Sequence, residues 1–296
     1  MEINGVEIED TFAEGFPIKV ARVLITAVTE RWALVSAREA TGFGTSLIGC
    51  AAEAGIERVV SGEETPDGRP GAYIQICNGG YKNLEASLLY RLGQCVLTAP
   101  TAAAFNGLPG AEKQFDIGKK LSFFGDGYQK QGDLYGRKVW KIPIISGEFV
   151  IEQAMGALEG VAGGNFLIFG QNQMAALTAA EAAVNAIGKL EGSITPFPGG
   201  IVSSGSKVGS QYKFLKASTN AAFCSSLRAD GVCTLSEDVS AVYEIVINGV
   251  DRAAIERAMR AGISAACRVP GVLKISAANF GGKLGQFQLP LQLILE

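Results

Sequence analysis

Catalysis needs side chains that move protons, stabilise charge or attack, and this chain of 296 residues lacks one common kind. It contains no histidine, which removes Ser-His-Asp and Cys-His nucleophilic machinery and the commonest transition-metal ligand. The six cysteines, at positions 50, 77, 95, 224, 233 and 267, form no C-x-x-C pair and read as small buried hydrophobes. No metal site is expected. Carboxylates, lysines, hydroxyls and backbone amides remain. Among the carboxylates Glu244 stands out, because it interrupts AVYEIVING (241–249), a branched and aromatic strand that ends in an Asn-Gly turn. On residue types alone it is either a solvated residue on a half-buried strand or a carboxyl drawn under cover.

Two loops can offer backbone amides and a cation to an anion. They are Gly205-Ser206-Lys207-Val208-Gly209 and Gly281-Gly282-Lys283-Leu284-Gly285, the latter preceded by Asn279. The competing reading is tight turns with solvated lysines. Neither belongs to a nucleotide fingerprint: TGFGTSLIG has Leu47 where a dinucleotide loop needs its third glycine, and NFGGKLG has Leu284 after its Gly-Lys,. The turn PFPGG (196–200) could bring Phe197, Gly199 and Gly200 against a flat ring, or be an ordinary turn. The adjacent Phe123 and Phe124 read as strand residues on opposite faces, in a core or an interface. The acidic run GEETPDGRPG reads as a solvent loop.

These residues need a frame. Helices are expected at 29–41, stopped by Gly42; from Asn83 to Cys95; from a Thr178–Glu181 capping box; and from Asp251 to Cys267, with Pro270 beyond. Strand-like runs flank them, and short strands with Gly and Asp turns fill the middle from KKLSFFGDGYQ to GEFVIEQA. Residues 107–118 and 224–240 read as surface loops. A shift of 76 positions lays one G-x-K-[VL]-G loop on the other and NFLIF on the Glu244 strand. It places Glu244 over Ile168, a core residue. Two strand–helix–strand units in one antiparallel sheet make a βαββαβ, ferredoxin-like arrangement. The expected fold is therefore α+β, with two ferredoxin-like lobes at 1–145 and 146–296. A covered central strand makes burial of Glu244 as reasonable as exposure.

Hydrophobic residues make up 48% and net charge is −3, which supplies a core but no basic field for nucleic acid or anionic membranes. No apolar run reaches the roughly 18 residues of a spanning helix, and the acidic N-terminus is unlike a targeting peptide. The expectation is a cytoplasmic protein.

Taken in order, MEINGVEIEDTFAE, EATGFGTS, EETPDGRPG, KLSFFGDGYQ, GRKVWKIP, PFPGGIVSS, SKVGS, ASTN, VYEIVING and KISAANFGGKLGQ resemble the formylmethanofuran:tetrahydromethanopterin formyltransferases nearly end to end. The resemblance implies reversible formyl transfer from the methanofuran amine to N5 of tetrahydromethanopterin in one-carbon metabolism. It implies no prosthetic group, with both coenzymes as substrates. It also implies two ferredoxin-like lobes, a homotetramer built from dimers, and methanofuran in a cleft at the dimer interface. The residue it singles out is Glu244, protonated and stabilising a tetrahedral oxyanion. The chemistry agrees: such an oxygen needs hydrogen-bond donors, and a desolvated carboxylic acid between Val242, Tyr243, Ile245 and Val246 is a donor. Because both coenzymes are polyanionic, Ser206, Lys207, Asn279 and Lys283 are expected to hold carboxylates or phosphates. Phe197, Gly199 and Gly200 are expected to form a wall. A ferredoxin-like module that binds a small ligand without chemistry is the alternative.

Overall fold

The computed structural model describes residues 1–296. The chain begins with three strands, β1 (Glu2–Ile3), β2 (Val6–Ile8) and β3 (Phe12–Thr26). There follow α1 (Glu30–Thr41), β4 (Glu53–Val60), β5 (Gly71–Asn78), α2 (Tyr81–Arg91), β6 (Ala103–Asn106), β7 (Lys113–Phe115) and α3 (Ile117–Ser122). A run of strands comes next: β8 (Lys130–Leu134), β9 (Arg137–Ile144), β10 (Gly147–Glu152) and β11 (Met155–Gly170). The last third holds α4 (Gln173–Ile187), β12 (Ser193–Ile194), β13 (Lys207–Val208), β14 (Ala217–Ser218) and β15 (Ala241–Gly249). It closes with α5 (Arg252–Ala266), β16 (Val272–Ser276), β17 (Phe287–Pro290) and α6 (Leu291–Leu295). The fold is α+β with mostly antiparallel pairing, as expected.

Two compact units emerge, a middle unit of Pro17–Gly160 and a terminal unit of Met1–Phe16 with Val161–Glu296. In the middle unit the strands lie in the order β4, β5, β3, β6, with antiparallel neighbours. β10 then adds parallel to β6, and β9 and β8 follow as antiparallel hairpins. The β9–β10 pairing was legible in the Gly and Asp turns around it. Glu57, fully buried at its side chain, is held by the Arg22 fork at 2.7 Å and by the Gln75 amide at 2.8 Å.

In the terminal unit the order is β12, β15, β11, β16 with antiparallel neighbours, and β2 joins β16 in parallel. One face of this sheet carries Tyr243, Ile245 and Ile247 against the alanine stripe of α4 and against Ile255, Met259 and Ile263 of α5. Both helices open on a side-chain cap: Asn172 accepts from the Ala175 N–H, and Asp251 accepts from that of Ala254,.

Several expectations change. α4 starts five residues before Thr178, because Asn172 caps it and QMAAL contains no helix breaker,. α2 starts at Tyr81 with Gly80 as its N-cap, ahead of Asn83. KKLSFF is helical, in α3 and a following 3₁₀ turn, and both Phe123 and Phe124 are exposed, so they do not split between two faces. Residues 113–118 also contain regular structure, β7 and the start of α3.

The internal repeat is real in architecture but its register is 79, not 76. The N-caps Asn172 and Asp251 are 79 positions apart, and so are the C-caps Gly188 and Cys267. The two Gly-Lys loops, whose match gives 76, lie outside the capped helices that set the spacing. Glu244 therefore corresponds to Asn165, a polar residue, and Ile168 corresponds to Ile247.

Candidate active site

Glu244 is a central residue by its hydrogen bonds. Its strand pairs with β11 on one side, Glu244 opposite Leu167. On the other side Val202 exchanges both backbone hydrogen bonds with Glu244, at 2.8 and 3.1 Å. Alternation along β15 turns the Glu244 side chain to the face without helices, together with Val242 and Val246. Tyr243 and Ile245 belong to the helix face and do not surround the carboxyl.

The helix-free face is not bare. Leu167, Phe169 and Val242 lie under Phe223, Cys233, Leu235 and Val239. The cover comes from 220–240, most of which the sequence reads as a surface loop. Arg228 ties that segment together by donating to the Leu235 and Ser236 carbonyls at 2.7 Å and to the Val239 carbonyl. Leu235 and Val239 are buried in consequence. Their three-residue gap among polar neighbours leaves no periodic signal.

Between sheet and cover is a cleft of about 80 Å³, walled by Leu167, Val202, the Ser203–Ser206 turn, Asn220, Cys224 and Ala278. The half-buried Glu244 carboxyl has no hydrogen-bond or ion-pair partner in the chain. Desolvation alone pushes its pKa up to about 7, so the neutral acid is well populated near neutral pH. Asn220, whose side-chain amide is likewise unpartnered, and the serine hydroxyls supply further polar groups. Asn220 lies in the ASTN motif, and nothing local in the sequence places 220 beside 244. Asn165, the repeat counterpart of Glu244, does the opposite of Glu244: its amide is fully used. It donates to the Gly163 and Ala278 carbonyls at 3.1 and 3.0 Å and accepts from the Ala278 N–H at 2.7 Å. It thereby fixes the Ala278 wall.

The other sequence candidates divide. Ser206 lines the cleft. Lys207 follows it onto the exposed β13–β14 hairpin, beside exposed Val208, Tyr212, Phe214 and Leu215. Phe197 is half-buried and Gly199 is exposed at a φ of 60°. Gly200 is buried, and a Cβ there would sit 2.6 Å from Thr195 Oγ1 and 2.8 Å from Val184. Its packing against α4 accounts for that glycine. None of these three lines the cleft.

Asn279 is used within the chain, donating to Thr11 Oγ1 and the Phe12 carbonyl and accepting from the Gly281 N–H. The 280–285 loop is an anion nest, as its glycines suggest, but its anion is internal. Glu14 accepts from the N–H groups of Phe280 (2.7 Å), Gly282, Leu284 (3.2 Å) and Gly285 (2.6 Å). A Cβ on Gly285 would lie 2.7 Å from that of Glu14, so only glycine closes the nest. Lys283 projects from the loop, exposed. No three His, Cys, Asp or Glu side chains converge to hold a metal ion. All six cysteines are free; Cys77 and Cys267 are buried and the others are half-buried. No helix is long and apolar enough to cross a membrane.

Comparisons with known proteins cover the chain almost completely. Residues 1–144 match the family model described as formylmethanofuran-tetrahydromethanopterin formyltransferase, and 147–294 match that of the FTR proximal lobe. The Methanosarcina mazei protein named formylmethanofuran–tetrahydromethanopterin formyltransferase is 67% identical over 98% of this chain and 99% of its own. The solved formyltransferase of Methanosarcina barkeri superposes with a TM-score of 0.98 at 64% identity, covering 99% of this chain and 100% of that one. A chain of the Methylorubrum extorquens formyltransferase/hydrolase complex, solved with methylofuran, gives 0.94 at 41% identity, over 100% and 99% of the two chains.

Proposed function

The chain belongs to the formylmethanofuran:tetrahydromethanopterin formyltransferase family, and from that premise we propose that Glu244 is its catalytic acid. The protein is a formyltransferase of one-carbon metabolism that acts on formylmethanofuran and tetrahydromethanopterin. The observation that carries the assignment is an unpaired carboxyl in a small cleft, held near pKa 7 by desolvation.

In the proposed reaction N5 of the reduced pterin attacks the formyl carbon, and the carbonyl oxygen gains negative charge in a tetrahedral intermediate. Neutral Glu244 donates its O–H to that oxygen. The intermediate collapses by breaking the bond to the methanofuran nitrogen, which leaves protonated as the N5 proton is lost. A donor preset in the cleft needs no reorganisation during the step, and one such donor contributes about 3–4 kcal/mol. No prosthetic group is required by this scheme.

The cleft, at about 80 Å³, is far below the roughly 300–1,000 Å³ of a pocket that encloses a whole ligand. It suits a formyl group and a water. The coenzyme bodies then lie outside it, which supports a site completed by a second subunit in a homotetramer of dimers. The exposed apolar hairpin next to Ser206 supports the same reading. Phe197, Gly199, Ser206, Lys207 and Lys283 remain proposed contacts for those bodies, whereas Gly200 and Asn279 act through the turns they hold.

Ferredoxin-like lobes are supported by chain order βαββαβ and equivalent strand orders in both units. The proposed lobes, 1–145 and 146–296, are supported by the two family models, which meet between 144 and 147; the compact units change over instead after residues 16 and 160. The proposed location is the cytoplasm. The test is direct: the purified protein is mixed with formylmethanofuran and tetrahydromethanopterin without additions, and the pterin absorbance is followed. Transfer is expected; saturable binding of both coenzymes without transfer would leave a binding module instead.

A further inference from the structure

One wall of the Glu244 cleft is Ala278, which lies two positions past the end of β16. The antiparallel register sets Leu167 of β11 opposite Ser276. Carried two residues further, it sets Asn165 opposite Ala278. At that rung the Asn165 side chain, not its backbone, makes the bonds. It donates to the Ala278 carbonyl at 3.0 Å and accepts from the Ala278 N–H at 2.7 Å. We propose that Asn165 is a positioning residue for formyl transfer: its amide props the Ala278 wall away from β11 and so keeps the cleft open beside Glu244. The inference rests on the formyl-transfer reading and adds a residue that acts on the reaction through the wall it holds.

The middle unit carries the same pair without a prop. Leu167 pairs with Glu244, seven residues before Asp251, the N-cap of α5. Leu24 pairs with Tyr73, seven residues before Gly80, the N-cap of α2. Leu24 and Tyr73 are therefore the counterparts of Leu167 and Glu244. On its other side Leu24 faces Phe105, as Leu167 faces Ser276, so Arg22 and Gly107 stand where Asn165 and Ala278 do. There the Gly107 N–H donates straight to the Arg22 carbonyl at 2.9 Å, a backbone rung that keeps the two chains at ordinary strand spacing. The Arg22 guanidinium lies over the Tyr73 ring, 3.8 Å from its centroid, and fills the space beside the counterpart of Glu244. One unit closes the rung and fills the face. The other props the rung and leaves the face open.

An asparagine suits the task because its amide both donates and accepts. All of that capacity is used within the chain, since a second donation goes to the Gly163 carbonyl at 3.1 Å. The amide is thereby fixed in orientation, and no donor is left over for Glu244. Past the wall, Asn279 is tied to Thr11 and Phe12, so the propped segment is short and its movement small. A small movement is enough, because a misplacement of about 1 Å can cost about a hundredfold in rate.

The test compares wild type with Asn165→Ser, whose hydroxyl is too short to span the rung, and Asn165→Gln, whose amide sits one methylene further out. Formyl transfer is measured with each coenzyme varied, and binding of both coenzymes by calorimetry. Cys224, which lines the cleft, is alkylated with iodoacetamide and followed by mass spectrometry against Cys50 of the middle unit. For Asn165→Ser the expected kcat is roughly ten- to hundredfold lower, with both coenzyme Kd values within about twofold of wild type. Cys224 should be labelled several-fold more slowly, with Cys50 unchanged, because the wall closes toward β11. Asn165→Gln keeps the bonding groups but shifts the wall, so its kcat should fall between the two. A kcat within about twofold of wild type in the folded variants, equal losses in kcat and coenzyme binding, or faster Cys224 labelling in Asn165→Ser overturns the proposal. Should Asn165→Ser fail to fold, the kcat and binding of Asn165→Gln decide. If wild type binds both coenzymes without transferring formyl, the catalytic reading fails while the Cys224 rates still decide this one.

Discussion

Two glutamates on strands of the same unit have opposite fates. Glu14 is 1% exposed, yet four backbone N–H groups converge on it. Burial raises its pKa, the amides more than offset that, and it stays below the ordinary carboxylate range. Glu244 is less buried, but no group in the chain answers its charge, and its pKa rises to about 7. Depth of burial does not decide protonation; the supply of donors does. The molecule builds an anion nest where it wants a fixed charge to hold a loop. It leaves the other carboxyl unanswered, in a cleft open to a ligand.

Removing Glu244 gives the largest expected effect. Glu244→Ala should lower kcat by about two to three orders of magnitude, the usual cost of one oxyanion donor, with the fold intact by circular dichroism; near-wild-type turnover would break the comparison at its centre. Glu244→Gln keeps a donor of similar shape and should retain part of that rate.

Stability separates the two carboxylates by sign. The raised pKa of Glu244 means that the folded state holds a proton the unfolded chain gives up between about pH 4.5 and 7. Its presence therefore costs stability as pH rises through that window and costs a constant amount above it. Glu244→Gln should stabilise the protein at pH 8 by up to about 3 kcal/mol and have no such effect at pH 4, as denaturant unfolding would register. For Glu14 the sign reverses: its depressed pKa contributes stability above the unfolded carboxylate pKa, which is lost as pH falls through the folded value. Glu14→Gln should lower the melting temperature at pH 7, and that deficit should shrink in acid. Its effect on the shape of the pH–rate curve should be the smallest of the set. A shifted curve would mean that the loop and the cleft are coupled.

Much of the frame was legible in the residues. Gly42 announces the end of α1 and Asp251 the start of α5 by caps, and the Gly and Asp turns announce the β9–β10 hairpin, because these are local effects. The Glu244 strand was visible for the same reason, and its partner β11 through NFLIF. The register of the repeat was not, because the Gly-Lys loops, which lie outside the paired helices, matched better than the helices that set the true spacing. The cover over Glu244 was missed too. Leu235 and Val239 are buried by Arg228 gathering distant carbonyls, a long-range arrangement with no sequence period. Glu14 as the occupant of the GGKLG nest is a contact across more than 260 residues, beyond any local reading.

The central claim is that Glu244 acts as a neutral donor, and the pH dependence of kcat tests it most directly. Wild type should lose activity as pH rises through an apparent pKa of about 7, and Glu244→Gln should show a lower rate with that alkaline limb gone. A limb that persists unchanged in Glu244→Gln, or a wild-type rate that climbs with pH through this range, would contradict it.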